Sequence, residues 1–177
     1  MTAPDCGNGF LAESIGSFRA LKEQAERALV QADDDAFFAR LDDGSNSLAV
    51  LVAHIAGNAM SRWTDFLTTD GEKPARDRDG EFDLDPRLSR ADLMGRWEEG
   101  WRAVFRATEA LTADDLGRVV SIRGEAHTVM QAILRQIRHY AYHVGQMVQL
   151  ARHYRGANWE TLSIPRSPPR HYGGAPR

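Results

Sequence analysis

Apolar residues recur at helical spacing in four separate segments of this 177-residue chain, and this pattern restricts the possible fold more than any other feature. The segments run from about Phe10 to Gln31, from about Ser45 to Leu67, from Ser89 to about Leu111, and from about Thr128 to Tyr154. Each segment has an apolar face that must pack against other helices. The sequence therefore predicts an all-α protein, a four-helix bundle, within a single domain that spans residues 1–164.

The pieces between the helices carry less information. Phe37 and Phe38 form a short element, and residues 119–122 are predicted to be extended. The loop from Asp70 to Arg87 is rich in both charge signs, which is typical of a solvated connection; a lid over a site is the alternative interpretation. Residues 165–177 are rich in proline and glycine and are predicted to be a disordered tail.

Composition excludes two classes of partner. The net charge is −3 and basic residues interleave with acidic ones, so the chain lacks the basic face of a nucleic-acid-binding protein. No apolar run is long enough to span a bilayer, and residues 1–5 lack the features of a signal peptide. Cys6 is the only cysteine, so an intramolecular disulfide is impossible. We expect a cytoplasmic protein with a small-molecule substrate.

Three histidines are the candidate metal ligands. His139 and His143 lie four residues apart, and residues at that spacing share one face of a helix. His54 lies in the most apolar stretch of the chain, where an imidazole needs partners for its nitrogens. On a helical wheel, all three occupy polar stripes beside apolar ones. Their convergence on a divalent metal at about 2.0–2.1 Å is one interpretation; a hydrogen-bonded core histidine at position 54 is the other.

The expected metal is a transition metal, and the expected site is open. Three protein nitrogens leave coordination positions free, which is typical of catalytic sites. Zinc, nickel, cobalt, iron or copper suits imidazole ligands, whereas calcium or magnesium would need more carboxylates. Asn58, Gln136 and Gln146 lie in the same stripes and are the first candidates to accept the second N–H of each imidazole.

Two segments carry a resemblance to a known family. Residues 51–58, which contain His54, and residues 139–146, which contain both other histidines followed by glycine and glutamine, resemble the DinB superfamily of YfiT-like, metal-dependent enzymes. This resemblance implies a four-helix bundle with a three-histidine metal site at His54, His139 and His143. Residues 62–74, 122–125 and 158–165 further resemble a branch known only as a domain of unknown function.

The resemblance also implies a class of reaction. Characterised relatives include thiol S-transferases that use bacillithiol, mycothiol or glutathione, and a mycothiol-dependent isomerase. The resemblance therefore implies a zinc or nickel enzyme that transfers a low-molecular-weight thiol. A metal-dependent hydrolase with Glu125 as general base is one alternative, and a non-catalytic helical homodimer or ligand-binding module with structural histidines is another. Arg62, Asp65 and Arg123 are candidate substrate-binding residues; the two arginines could instead form structural ion pairs.

Overall fold

The computed structural model describes residues 6–163, and these residues are mostly helical. The α-helices are α1 (Cys6–Leu29), α2 (Asp34–Phe38), α3 (Leu48–Trp63), α4 (Arg90–Glu109) and α5 (Val129–Arg155). Strands β1 (Val119–Ile122) and β2 (Glu125–Thr128) pair as an antiparallel hairpin, and short 3₁₀ helices cover Ala113–Gly117 and Gly156–Asn158. The predicted tail at 165–177 lies outside the described residues. Within residues 6–163, no helix has both the length and the apolar character needed to cross a membrane.

Capping residues set the limits of the long helices. The Ser47 hydroxyl accepts from the backbone N–H of Val50 at the start of α3. Ser89 and Thr128 each begin a helix with a reciprocal capping box. Helix α5 ends at Gly156, whose φ of +59° is a left-handed conformation that glycine adopts without strain. The starts of α3, α4 and α5 therefore lie within about three residues of where their capping signals predict them.

The long helices pack around a shared aromatic core. Helix α3 contacts both α4 and α5, and α1 contacts α5 and α4. Phe18 of α1 meets the rings of Trp63, Trp101 and Tyr140 edge-on, one from each of the other three long helices. The buried indole N–H of Trp63 donates to the Tyr140 hydroxyl over 3.1 Å, which ties α3 directly to α5. The two helices that carry the histidines are therefore neighbours.

Helix α1 begins at Cys6, four residues before the predicted start, and two further departures from the sequence prediction have a clear structural reason. Helix α3 ends at Trp63 rather than near Leu67, because Thr64 is extended and Asp65 has a φ of +48°, a reversal that lets Phe66 pack against the Trp63 ring. Strand β2 was not predicted. It forms because Arg123 and Gly124, with φ of +58° and +76°, make a two-residue turn that folds residues 125–128 back onto β1.

The hairpin turn is fastened to the loop after α3. The Asp70 carboxylate accepts hydrogen bonds from the backbone N–H groups of Arg123 and Gly124 over 2.9 and 2.8 Å, and from the Ser121 hydroxyl. These hydrogen bonds hold the pKa of Asp70 well below its usual range, and the bond from Ser121 contributes most to this shift. The loop at residues 70–87 is thereby held close to the start of α5.

Candidate metal centre

The structure brings the three predicted histidines together. His54 comes from the middle of α3, and His139 and His143 come from successive turns of α5. The Nε2 atom of His139 lies 3.2 Å from Nε2 of His54 and 3.1 Å from Nε2 of His143. One nitrogen of each ring can be chosen so that all three lie within 4.8 Å of one another. His54 and His143 are buried, and His139 is half-buried.

Outer partners fix the tautomers of two of these rings. His54 donates from Nδ1 to a carboxylate oxygen of Glu81 over 2.9 Å. His143 donates from Nδ1 to the amide oxygen of Gln146 over 2.8 Å, and the Gln146 amide nitrogen in turn donates to the Tyr142 hydroxyl. A neutral imidazole has one N–H, so each ring is left with a lone pair on Nε2. Both lone pairs point toward the same place, where His139 also lies.

The third ring makes this arrangement suitable for a metal. Nδ1 of His139 is buried and has no hydrogen-bond partner among residues 6–163, while its Nε2 faces the two other Nε2 atoms. Burial, and then the neighbouring His143 and His54, lower the pKa of His139 to about 3, so its ring is neutral at neutral pH and one ring nitrogen keeps a lone pair for a metal. Two nitrogens bound to a tetrahedral metal at about 2.0–2.1 Å stand about 3.3 Å apart. The donor set therefore fits a divalent transition metal.

Glu81 is the residue of the site that the sequence analysis missed. It lies in the loop at residues 70–87, which was interpreted as a solvated connection, yet its side chain is 9% exposed. Its two carboxylate oxygens accept from Nε and Nη2 of Arg76, each over 2.7 Å, and Phe82 beside it packs against the His54 ring. The solvated interpretation is wrong for Arg76, Glu81 and Phe82, which pack at the histidine site, whereas residues 77–79 are exposed as that interpretation predicts.

A glycine on α3 makes room for Glu81. A Cβ atom at Gly57 would lie 2.2 Å from the Glu81 Oε1 atom, well inside van der Waals contact. The Glu81 side chain cannot withdraw freely, because its carboxylate is held by both His54 and Arg76. The only sequence signal for Glu81 was the need of a buried imidazole for an acceptor, and several acidic residues of the loop could have met that need.

Beside the histidines lies a cleft of about 500 Å³. Asn58 and Gln136 line it and hydrogen-bond to each other over 2.6 Å, which links α3 to α5, rather than to the imidazoles. Arg62 and Arg123 also line the cleft. Asp65, predicted to bind substrate, and Glu125, predicted as a general base, do not line the cleft. Asp65 is exposed after the end of α3, and Glu125 is exposed on β2.

The comparisons with known proteins give a family but no activity. No functionally curated protein matches the chain at significant similarity. One family profile does, that of DUF1572, described as a protein of unknown function, and the match covers residues 5–168. This agrees with the predicted likeness to a domain of unknown function. Because the match spans most of the chain, the protein belongs to the DUF1572 family.

Proposed function

We propose that this protein is a divalent-metal-dependent enzyme of the DinB type, which transfers a low-molecular-weight thiol to a small electrophilic substrate. His54, His139 and His143 would hold the metal, zinc or nickel, within a four-helix bundle formed by α1, α3, α4 and α5. The observation that carries the proposal is the convergence of three Nε2 atoms, with outer acceptors at Glu81 for the His54 ring and at Gln146 for the His143 ring. Such outer partners are typical of metal-ligating histidines.

The residues of the site suit a catalytic role better than a purely structural one. Three histidine ligands leave coordination positions free, and the cleft opens beside them. A divalent metal held there would lower the pKa of a bound thiol and keep it as the nucleophilic thiolate. In the overall reaction the thiol gives its proton to solvent and its sulfur bonds to an electrophilic carbon. The leaving group departs with the bonding electron pair, or in an epoxide the ring oxygen takes that pair and a proton from solvent, so no redox partner is needed.

The distribution of carboxylates favours thiol transfer over hydrolysis. A hydrolase benefits from a free general base near the water that it activates. Among the described residues that line the cleft none is acidic, and Glu81 is already engaged by both His54 and Arg76. A thiol of low pKa needs no such base to ionise.

Metal content and a thiol assay, measured on the same samples, test the proposal. The full chain, purified without a histidine tag and loaded with zinc or nickel, should bind about one metal ion per chain by elemental analysis. The loaded protein should then accelerate the reaction of glutathione, mycothiol or bacillithiol with 1-chloro-2,4-dinitrobenzene or an epoxide. Stripping the metal with a chelator should remove this activity.

Two histidine variants supply the matched comparison. His143→Ala removes one ligand and should abolish metal binding while the helical circular dichroism is retained. His153→Ala changes an exposed histidine farther along the same helix and should bind metal like the parent. A parent protein that binds no metal at any loading would refute the proposal and leave a non-catalytic helical module. Metal binding without thiol transfer would refute only the assigned reaction.

A further inference from the structure

We infer that the cleft beside the histidines contains a subsite for an oxyanion, formed by Arg62, Arg123 and Arg135, which binds a carboxylate or phosphate group of the substrate. The inference deepens the proposed function and rests on it for one point, the role of this group as part of the substrate. Anion binding itself depends only on the arginines.

The cleft has an excess of positive charge. Six arginines line it: Arg62, Arg76, Arg78, Arg123, Arg135 and Arg138. Among the described residues, three carboxylates pair with these six arginines: Glu72, Glu81 and, at 3.9 Å from Arg78, Asp79. Asp70 is nearby, but its oxygens are taken by the hairpin turn. The cleft would therefore concentrate anions at its surface.

Glu72 is shared too widely to neutralise its neighbours. Its two oxygens serve Arg76 at 3.1 Å, Arg123 at 3.0 Å and Arg62 at 3.7 Å, and the last distance is too long for a hydrogen bond. Arg62 is only 3% exposed, and its Nε and Nη1 atoms have no hydrogen-bond partner among the described residues. A buried guanidinium with unused donors is costly, which is consistent with a site built to receive an anion.

Two further arginines of the cleft have side chains without a partner among the described residues. The side chains of Arg135 and Arg138 are exposed on α5 and form no ion pair or hydrogen bond with residues 6–163. Arg123 occupies a turn position with φ of +58°, which favours asparagine or glycine over arginine. Its side chain nonetheless lines the cleft and donates to Glu72.

The positions of the arginines along the helices indicate the distance that a ligand must span between the histidines and the arginines. Arg62 follows His54 by eight residues on α3, which is about 12 Å of helix rise. Arg135 precedes His139 by one turn of α5, or about 6 Å. The Asn58–Gln136 pair lies between the two ends of the cleft. A small molecule with its reactive atom at the histidines could therefore place an oxyanion at the arginines.

Binding of two simple anions tests the inference without requiring turnover. Metal-free full-length protein is titrated with succinate and with inorganic phosphate at low ionic strength, by isothermal titration calorimetry. Saturable binding is expected, and the tighter of the two probes distinguishes a carboxylate from a phosphate subsite. Arg135→Gln, at an exposed and unpaired position, should weaken binding by about three- to tenfold. Arg62→Gln should weaken it at least as much, provided that circular dichroism shows it folded.

Arg152→Gln is the matched control, since it removes an exposed arginine of the same helix outside the cleft. Its affinity for both anions should equal that of the parent. The inference is overturned if the parent shows no saturable binding of either anion, if Arg135→Gln binds like the parent, or if Arg152→Gln loses as much as Arg135→Gln. Elemental analysis of the same preparation reports separately on the metal, so loss of the anion subsite and loss of the proposed metal function remain distinguishable.

Discussion

Replacing Glu81 by glutamine separates two roles of this side chain. The carboxylate accepts from Nδ1 of His54 and from two nitrogens of Arg76 at once. Oε2 accepts from His54 and from Nη2 of Arg76, while Oε1 accepts from Nε of Arg76. An amide of the same shape has no negative charge, and its NH₂ group must face either His54 or Nε of Arg76, so one of these N–H groups loses its acceptor and the remaining bonds weaken. Loss of an acceptor behind a metal-ligating imidazole typically weakens metal binding by about 10- to 100-fold, or roughly 1.4–2.7 kcal/mol.

Folding stability should fall as well, by a smaller amount than for an isolated buried charge. Arg76 is 4% exposed in its side chain and would keep its contact with Glu72. Removing one partner of a fully buried ion pair costs about 3–5 kcal/mol, and the remaining carboxylate should reduce this to roughly 1–3 kcal/mol. Zinc affinity is measured by competition with a chromophoric chelator, and stability by urea unfolding of the metal-free protein.

Glu72→Gln is the control for this experiment. It removes the other carboxylate beside Arg76 but does not touch any histidine. We expect it to lower stability while leaving the zinc dissociation constant within about twofold of the parent, whereas Glu81→Gln should change both quantities. If Glu81→Gln destabilises the fold yet binds zinc like the parent, Glu81 is only a partner of Arg76 and the argument that it fixes the His54 tautomer is wrong.

Three further outcomes are expected. Gly57→Ala gains about 1 kcal/mol of helix propensity, yet its Cβ atom displaces the Glu81 side chain. Zinc affinity in the same competition assay should therefore fall, and an unchanged affinity would contradict the close approach of Glu81 to Gly57. Gln146→Leu removes the acceptor of His143 and should weaken zinc binding by about tenfold. The melting temperature should change little because the Gln146 side chain is half-buried. A large loss of stability would instead show that Gln146 has a structural role. In chelated protein the free energy of unfolding should decrease as the pH falls from 6.5 towards about 3. The reason is that the unfolded chain takes up a proton at His139 that the folded chain, with its lowered pKa, does not; urea unfolding that is flat across this window would refute the burial argument.

The helices were predictable because their signals are local. Apolar spacing and the caps at Ser47, Ser89 and Thr128 depend on residues within a few positions of each other. The early end of α3 depends instead on a reversal at Asp65 that buries Phe66, which is a tertiary effect. Strand β2 was missed because its turn places arginine where asparagine usually signals a hairpin.

At the site, the histidines were likewise predictable from local sequence signals, whereas Glu81 was not. Two of the histidines share one helix face, so their spacing alone brings them together, and the polar stripe on α3 indicated the third. Glu81 belongs to a loop with no apolar period, and its contact with His54 joins residues 27 positions apart. Nothing in the local sequence selects it over the other acidic residues of that loop.

The separation of the ligands along the chain links metal binding to folding. His139 and His143 already lie side by side on an isolated α5, but His54 is 85 residues away from His139 and reaches it only when α3 and α5 pack together. A helical but loosely packed chain would offer two ligands, and the native chain three. A metal bound with all three would stabilise the native state over such intermediates by mass action, by an amount that rises with the logarithm of the ratio of its concentration to the native dissociation constant. The ion would then act as a tertiary cross-link across the middle of the domain, and its loss would first loosen the contact between α3 and α5 rather than the helices themselves.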